Sequence, residues 1–330
     1  MDLPLLSAAF AALALTFYVL LDGFDLGVGM LLLIQSDGSL RDQMVNSILP
    51  TWDGNETWLI MAGVTLLAAF PIAYGVLLPA FYLPLIIMLL ALGLRGVSFE
   101  FRVQGDKRGR AWDLVFGAGS LVAALAQGII VGGLIQGVSV KQQGFAGSVL
   151  DTFQPFSFLT AVTVLSGYIV LGASWLHLKG LGRTRRFAER ALRRATPIFV
   201  GLAAIVCTTA PYVQPEIGSV WATHPVPLVV IAGLFLVAAT AVMLTVGGRF
   251  DLMPFAFALC LFVLGIAGFA FLVYPDIVPF RISLWAAASS TMSHVFLLIG
   301  AAIVTPVVLG YSAFSYRVFR GKTPEKGWEE

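Results

Sequence analysis

Charge is what this sequence lacks most. Only 12% of its 330 residues are Asp, Glu, Lys or Arg, against 58% hydrophobic residues, and a soluble domain carries about twice that share of charge. With a mean hydropathy of +0.91, water is not its main solvent. Cysteine is nearly absent too. Cys207 and Cys260 stand apart in apolar runs with no CxxC or metal-ligand spacing, so they read as small core hydrophobes. No Lys or Arg precedes Arg41. The first apolar run therefore lacks the basic n-region of a secretory signal and reads as a retained span. A net charge of +2 gives no reason to expect nucleic acid as a partner. No polar stretch is long enough for a second, soluble domain, so residues 1–330 are expected to form a single polytopic membrane domain.

What is abundant is apolar runs of spanning length, about twenty residues each. Nine can be drawn, at roughly 5–34, 51–74, 76–98, 114–136, 156–178, 197–217, 225–246, 252–274 and 293–316. In lipid such runs pair their backbone groups internally only as helices, which predicts an all-α membrane protein. The cations then fix orientation. Arg41, Arg95, Arg102, Lys107, Arg108, Arg110, Lys179, Arg183, Arg185, Arg186, Arg190, Arg193, Arg194, Arg249, Arg317, Arg320, Lys322 and Lys326 fall on odd-numbered connections or the tail. Only Lys141 and Arg281 fall on even-numbered ones. By the positive-inside rule the N-terminus is outside and the C-terminus cytoplasmic, which requires an odd number of spans. The basic stretch 179–195 reads as a cytoplasmic loop beside anionic membrane lipids rather than a nucleic-acid patch.

Ionisable groups at membrane depth are costly and mark function. Asp22 and Asp25 lie in the first span, Asp53 and Glu56 at the start of the second, each pair spaced i,i+3 on one helix face. At a rise of about 1.5 Å per residue all four fall in the cytoplasmic half of the bilayer, on consecutive antiparallel helices. Clustered carboxyls in a medium of low dielectric can hold protons, which suits a proton relay. The alternative is structural, with hydrogen-bonded acids joining two helices. Gly23 and Gly27 form a small-xxx-small pair that lets another helix come close. Of the three histidines, His177 stands at a cytoplasmic helix end and His224 in an outer connection. His294 opens the last span, where a helix-end hydrogen bond is the simpler role than haem ligation, and no second His is spaced to pair with it.

The blocks Leu21-Asp-Gly-Phe-Asp-Leu-Gly-Val-Gly29, Trp52-Asp-Gly-Asn-Glu-Thr-Trp58, Ala69-Phe-Pro-Ile-Ala-Tyr74 and Arg95-Gly-Val-Ser-Phe-Glu-Phe-Arg102 resemble subunit II of cytochrome bd-type quinol oxidases. So do Tyr274-Pro-Asp-Ile-Val-Pro279 and Tyr316-Arg-Val-Phe-Arg-Gly-Lys322, in family order across nearly the whole chain. The resemblance implies nine spans in a helix bundle pseudo-symmetric with subunit I. It implies a haem-free chain whose partner, subunit I, carries haem b, haem d and the site where quinol and O2 react. It further implies that Asp53 lies on a cytoplasmic proton path at the subunit interface, with Trp58 near that interface or serving as aromatic packing. Some relatives hold a structural quinone in this subunit, and a small single-span accessory subunit is a further candidate partner. Glu56 stands where relatives often have Gln, and Ala286 where Asp is common; the pattern leans toward the cyanide-insensitive branch.

Two other readings stay open at this stage: a scaffold that supports the haem subunit without proton work, and a proton-coupled secondary transporter. A transporter typically shows matched helix breaks near the midplane, and the acids here gather at one depth instead.

Overall fold

The computed structural model describes residues 2–104 and 109–324; Lys107, Arg108 and Lys326 lie outside them. The fold is helical. Helix α1 (Leu3–Leu33) is followed by α2 (Gly38–Asn46), α3 (Trp52–Ala69), α4 (Pro71–Ala80), α5 (Tyr82–Gln104) and α6 (Gly109–Gln136). Then come α7 (Pro155–Lys179), α8 (Gly182–Val213), α9 (Pro215–Thr223), α10 (Pro225–Thr245), α11 (Leu252–Val273) and α12 (Thr291–Val318). Two short antiparallel hairpins complete it: β1 (Val140–Lys141) with β2 (Gly144–Phe145), and β3 (Asp276–Val278) with β4 (Ile282–Ser283). Among the described residues, eight helices are long and apolar enough to cross a membrane: α1, α5, α6, α7, α8, α10, α11 and α12.

The inner half of α1 is the axis of the bundle. Every residue from Asp22 to Leu32 is buried, against α3, α6 and α7. The expected close approach at the glycine pair is found at α7. A Cβ on Gly27 would collide with the Tyr168 carbonyl oxygen, and one on Gly23 would come within 2.6 Å of the Tyr168 ring. Phe24 completes the crossing by stacking on Trp175 at 4.4 Å between ring centroids.

Three expectations need correction. The runs 51–74 and 76–98 are not two uninterrupted spans, because the chain breaks at Phe70 and again at Phe81. Proline causes both breaks by removing a backbone donor and crowding the preceding turn. Pro71 ends α3, and the Ala69 carbonyl left over accepts the Ser289 N–H at 2.8 Å. Pro84 in the first turn of α5 has no N–H for the Ala80 carbonyl, which accepts the Thr152 hydroxyl at 2.9 Å instead. The stretch 179–195 is not a loop. Apart from Lys179, which ends α7, and a two-residue link, it is the first half of α8, whose 32 residues extend about 48 Å. That exceeds the hydrocarbon thickness of about 30 Å, so its arginines have room beyond the apolar layer. Finally, Cys207 and Cys260 are exposed on the chain's surface rather than in the core. An apolar solvent accepts small apolar side chains on the outside, so burial does not follow from hydrophobicity here.

The helix ends gather at two poles. At one, Arg102 pairs with Asp42 and Asp113 at 2.6 Å each and Arg41 with Asp113 at 2.9 Å. There too Arg183 meets Asp37 at 2.7 Å, and Arg185 meets Asp251 at 2.8 Å. At the other, Trp285 donates to Asp2 at 2.9 Å and Ser7 hydrogen-bonds His294 at 2.8 Å. The cation-rich pole is the one the sequence assigns to the cytoplasm.

Candidate functional site

At its first turn α3 is held against α5 by an aromatic contact. The Trp52 ring stacks on Phe99 at 4.8 Å and covers Gly96, where a Cβ would lie 3.4 Å from it. This contact sets the rotation of the helix and hence the direction of each polar residue after Trp52. Asp53 points out of the chain and is exposed. Asn55 is buried and turns toward α1. Glu56, with its side chain one-quarter exposed, reaches Arg95 on α5 at 3.2 Å.

Arg95 is the centre of the site. Its side chain is wholly buried, and Nη2 lies 2.6 Å from Asp22 Oδ1, also wholly buried, and 3.2 Å from Glu56 Oε2. It therefore does not belong with the connections, where the charge tally put it, although the cation bias toward one pole survives without it. Burying a guanidinium is tolerable only with such partners. Asp25, one turn further along α1, accepts the Asn55 amide at 2.8 Å. Asn55 Nδ2 also lies 3.3 Å from the Leu21 carbonyl, and its Oδ1 accepts the Tyr316 hydroxyl at 3.0 Å. Two carboxylates, Asp22 and Glu56, thus share one guanidinium, and Asp25 stands beside them on Asn55.

The four acids are not equivalent. Asp22, Asp25 and Glu56 converge on the Arg95–Asn55 layer, whereas Asp53 stays outside it. A second buried chain lies beside them: the Tyr168 hydroxyl donates to Gln127 Oε1 at 2.6 Å, and Gln127 Nε2 donates to the Tyr18 oxygen at 2.7 Å. Arg95, Asn55, Tyr316 and Gln127 were not singled out as site residues from sequence. Arg95 had a signal, being an arginine inside a predicted span, where ionisable groups need partners.

Trp58 is fully buried and packs on Phe17 at 4.7 Å between ring centroids, with Ala14 and Tyr18 around it. The ring is internal packing in this chain and presents no surface to a partner. The histidines are engaged. His177 Nδ1 lies 3.4 Å from the Asp251 carbonyl, and its Nε2 accepts the Gly247 N–H at 3.4 Å. His224 Nδ1 meets the Thr223 hydroxyl at 2.8 Å. His294 takes the Ser7 hydrogen bond already described, and its ring meets Phe70 edge-on at 5.7 Å. They stand on separate elements: His177 in α7, His224 in the link before α10 and His294 in α12.

Comparison with known proteins places this architecture. The family profile described as cytochrome bd terminal oxidase subunit II matches residues 3–319. The chain is 29% identical to the cytochrome bd-I ubiquinol oxidase subunit 2 of Escherichia coli, a match covering 94% of the chain and 93% of that protein. The cytochrome bd ubiquinol oxidase subunit 2 of Bacillus subtilis is also 29% identical, with the same coverages. A probable cytochrome oxidase subunit 2 of Haemophilus influenzae is 40% identical over 48% of the chain and 44% of that protein. A chain of the bd oxidase structure from Geobacillus thermodenitrificans superposes with a TM-score of 0.78. Sequence identity there is 16%, over 97% of this chain and 99% of that one.

Proposed function

This chain belongs to the cytochrome bd terminal oxidase subunit II family, and from that premise we propose that it brings cytoplasmic protons to the interface with the haem-bearing subunit of a quinol oxidase. It is a multi-pass protein of the bacterial inner membrane and a part of that complex. Residues 1–330 then act as one membrane domain with nine crossings, pseudo-symmetric with subunit I. The ninth crossing is α3, whose 18 residues reach about 27 Å although their first turns are polar. Its two ends support this assignment: Pro50 meets Ser315 at the cation-rich pole, and Ala69 meets Ser289 at the opposite one.

Quinol oxidation and O2 reduction belong to the haem b and haem d of subunit I, and the protons consumed there must cross from the cytoplasm. The observation that carries the proposal is the division of labour on one turn of α3. Asp53 is exposed on the outer face of the chain, outside the internal network, and Glu56, one turn deeper, pairs with the buried Arg95 that also holds Asp22. On this reading Asp53 exchanges protons at the surface that subunit I covers, while Asp22, Asp25 and Glu56 hold charge and protons behind it. The Gln127 amide limits conduction toward the outer leaflet, because its oxygen accepts and its nitrogen donates. An amide in that fixed orientation does not relay protons as hydroxyls and carboxyls do.

Asp53→Asn tests the reading. The variant should assemble with its full haem content while steady-state oxygen consumption falls at least about tenfold, a lower bound for a positioned proton-transfer group, whose contribution is typically about 10²–10⁴-fold. Unchanged consumption removes the relay role and leaves a scaffold; loss of the haems would assign Asp53 to assembly instead.

A further inference from the structure

The segment after α12 is held by several hydrogen bonds and an ion pair. Thr323 is wholly buried: its N–H donates to the Lys179 carbonyl at 2.9 Å, and its own carbonyl accepts the Gln43 amide of α2 at 2.8 Å. Lys322 Nζ donates to the Leu178 carbonyl at 2.8 Å and pairs with Asp251 at 2.7 Å, while Arg185 of α8 holds the other oxygen of that carboxylate. Lys179 reaches the opposite way, from the end of α7 to the Phe319 carbonyl at 2.6 Å. Burial works against the charge of Asp251. The Lys322 hydrogen bond and the charges of Lys322 and Arg185 outweigh it and hold the carboxyl below its ordinary range, so the anchor remains an anion at neutral pH. Residues 319–323 therefore form a clasp that ties the end of α12 to α2, to the end of α7 and to the turn between α10 and α11.

What the clasp holds is the last turn of α12. Along most of its length this helix is exposed; its main contacts within the chain are with α3 and α1, and near its end the Tyr316 ring meets Trp175 of α7 edge-on at 6.1 Å. Three residues before Phe319, Tyr316 gives its hydroxyl to Asn55 Oδ1 at 3.0 Å, and beside it Ser315 donates to the Pro50 carbonyl at 2.9 Å. A carboxamide can turn over, presenting either oxygen or nitrogen to a neighbour. Here a hydroxyl donor occupies the oxygen, so the nitrogen is the atom that faces Asp25, at 2.8 Å. Without Tyr316 the longer 3.3 Å contact of the same nitrogen with the Leu21 carbonyl would be left to orient the amide, and the hydrogen bond to Asp25 would be held less firmly.

The geometry points to Lys322 as a positioning residue for the acidic site: with Lys179 it clamps the end of α12, so that Tyr316 orients Asn55 and Asn55 holds Asp25. This rests on the reading of the membrane carboxylates as proton-handling groups. It assigns the cytoplasmic tail a part in the chemistry.

The test uses the complete two-subunit oxidase in membranes, with haem content as the control for assembly and oxygen consumption at saturating quinol followed from acid to alkaline pH. Tyr316→Phe removes only the hydroxyl and should slow turnover by about three- to tenfold, the worth of one hydrogen bond. The loss should be greatest at alkaline pH, where protons are scarce. Lys322→Met should give the same alkaline loss, Lys322→Arg should restore most of it, and the double variant should be no slower than Tyr316→Phe alone, since two residues on one path do not add. Should Lys322→Met fail to assemble, Asp251→Asn loosens the same clasp more gently and is expected to show the same alkaline loss. A wild-type pH profile for Lys322→Met, or for Asp251→Asn in its place, overturns the proposal, as do losses that multiply in the double variant. Asp25→Asn separates the two levels. If it slows turnover while the clasp variants do not, only the clasp is refuted; if it leaves turnover and its pH profile intact, the proton-handling reading itself fails.

Discussion

Replacing Arg95 with methionine should remove the assembled complex from the membrane almost completely. The substitution keeps much of the side-chain volume but strands Asp22, wholly buried, and Glu56, both of which pair with this one guanidinium. Breaking a buried pair by deleting one partner costs about 3–5 kcal/mol, a large part of the roughly 5–15 kcal/mol that holds a typical domain folded. The companion double variant Arg95→Met with Asp22→Asn leaves fewer uncompensated charges and should recover part of the yield. Haem content per membrane protein reads both. Arg95→Met assembling at wild-type level would show that the ion pair is not buried as described, and the charge balance of the acidic site would have to be drawn again.

The second large effect is steric. Gly27→Leu should be as damaging as losing Arg95, because the obstruction is backbone. A Cβ at Gly27 runs into the Tyr168 carbonyl oxygen and lies 2.8 Å from the Gly172 nitrogen, and on the facing helix a Cβ at Gly172 would strike the Gly27 backbone. Neither helix can yield by rotating a side chain, so α1 and α7 must separate. The Phe24–Trp175 stack and the adjoining acidic layer would separate with them. Overpacking typically costs about 1–3 kcal/mol, and more where backbones must shift. Gly201 on α8 is the control. A Cβ there meets nothing within 4 Å, and alanine in a helix interior is about 1 kcal/mol more favourable than glycine. Gly201→Ala should therefore be neutral or slightly stabilising, and a thermal melt of the purified complex compares the two. Equal behaviour of the two variants would mean that the α1–α7 crossing is not close.

Much of this fold was legible because lipid imposes one rule on backbone and one on charge. Apolar runs had to be helices, and cations had to collect at one pole. The parts that were not legible are those where a polar or proline residue acts against its neighbours. Pro71 and Pro84 interrupt runs that hydropathy alone reads as continuous. The arginines of α8 look like a loop because hydropathy registers the edge of the bilayer and not the end of a helix. Arg95 was counted among surface charges, although its place in an apolar run called for a buried partner. The acids were found because a carboxylate at membrane depth is conspicuous. Their roles were not, because Asp53 and Glu56 share a helix face yet differ in reach: Glu56 extends to Arg95, and Asp53 points outward. Asn55 and Tyr316 could not be paired from sequence, since the contact joins residues at opposite ends of the chain.

The proposed function requires that protons reach the partner subunit by way of Asp53 from the cytoplasmic side. The direct measurement is proton uptake during a single turnover, followed with a pH-sensitive dye as the fully reduced complex is mixed with oxygen. In Asp53→Asn, oxygen should bind at the wild-type rate while proton uptake slows by about tenfold or more. Uptake at the wild-type rate in that variant would contradict the account, leaving this subunit to support its partner without supplying the protons.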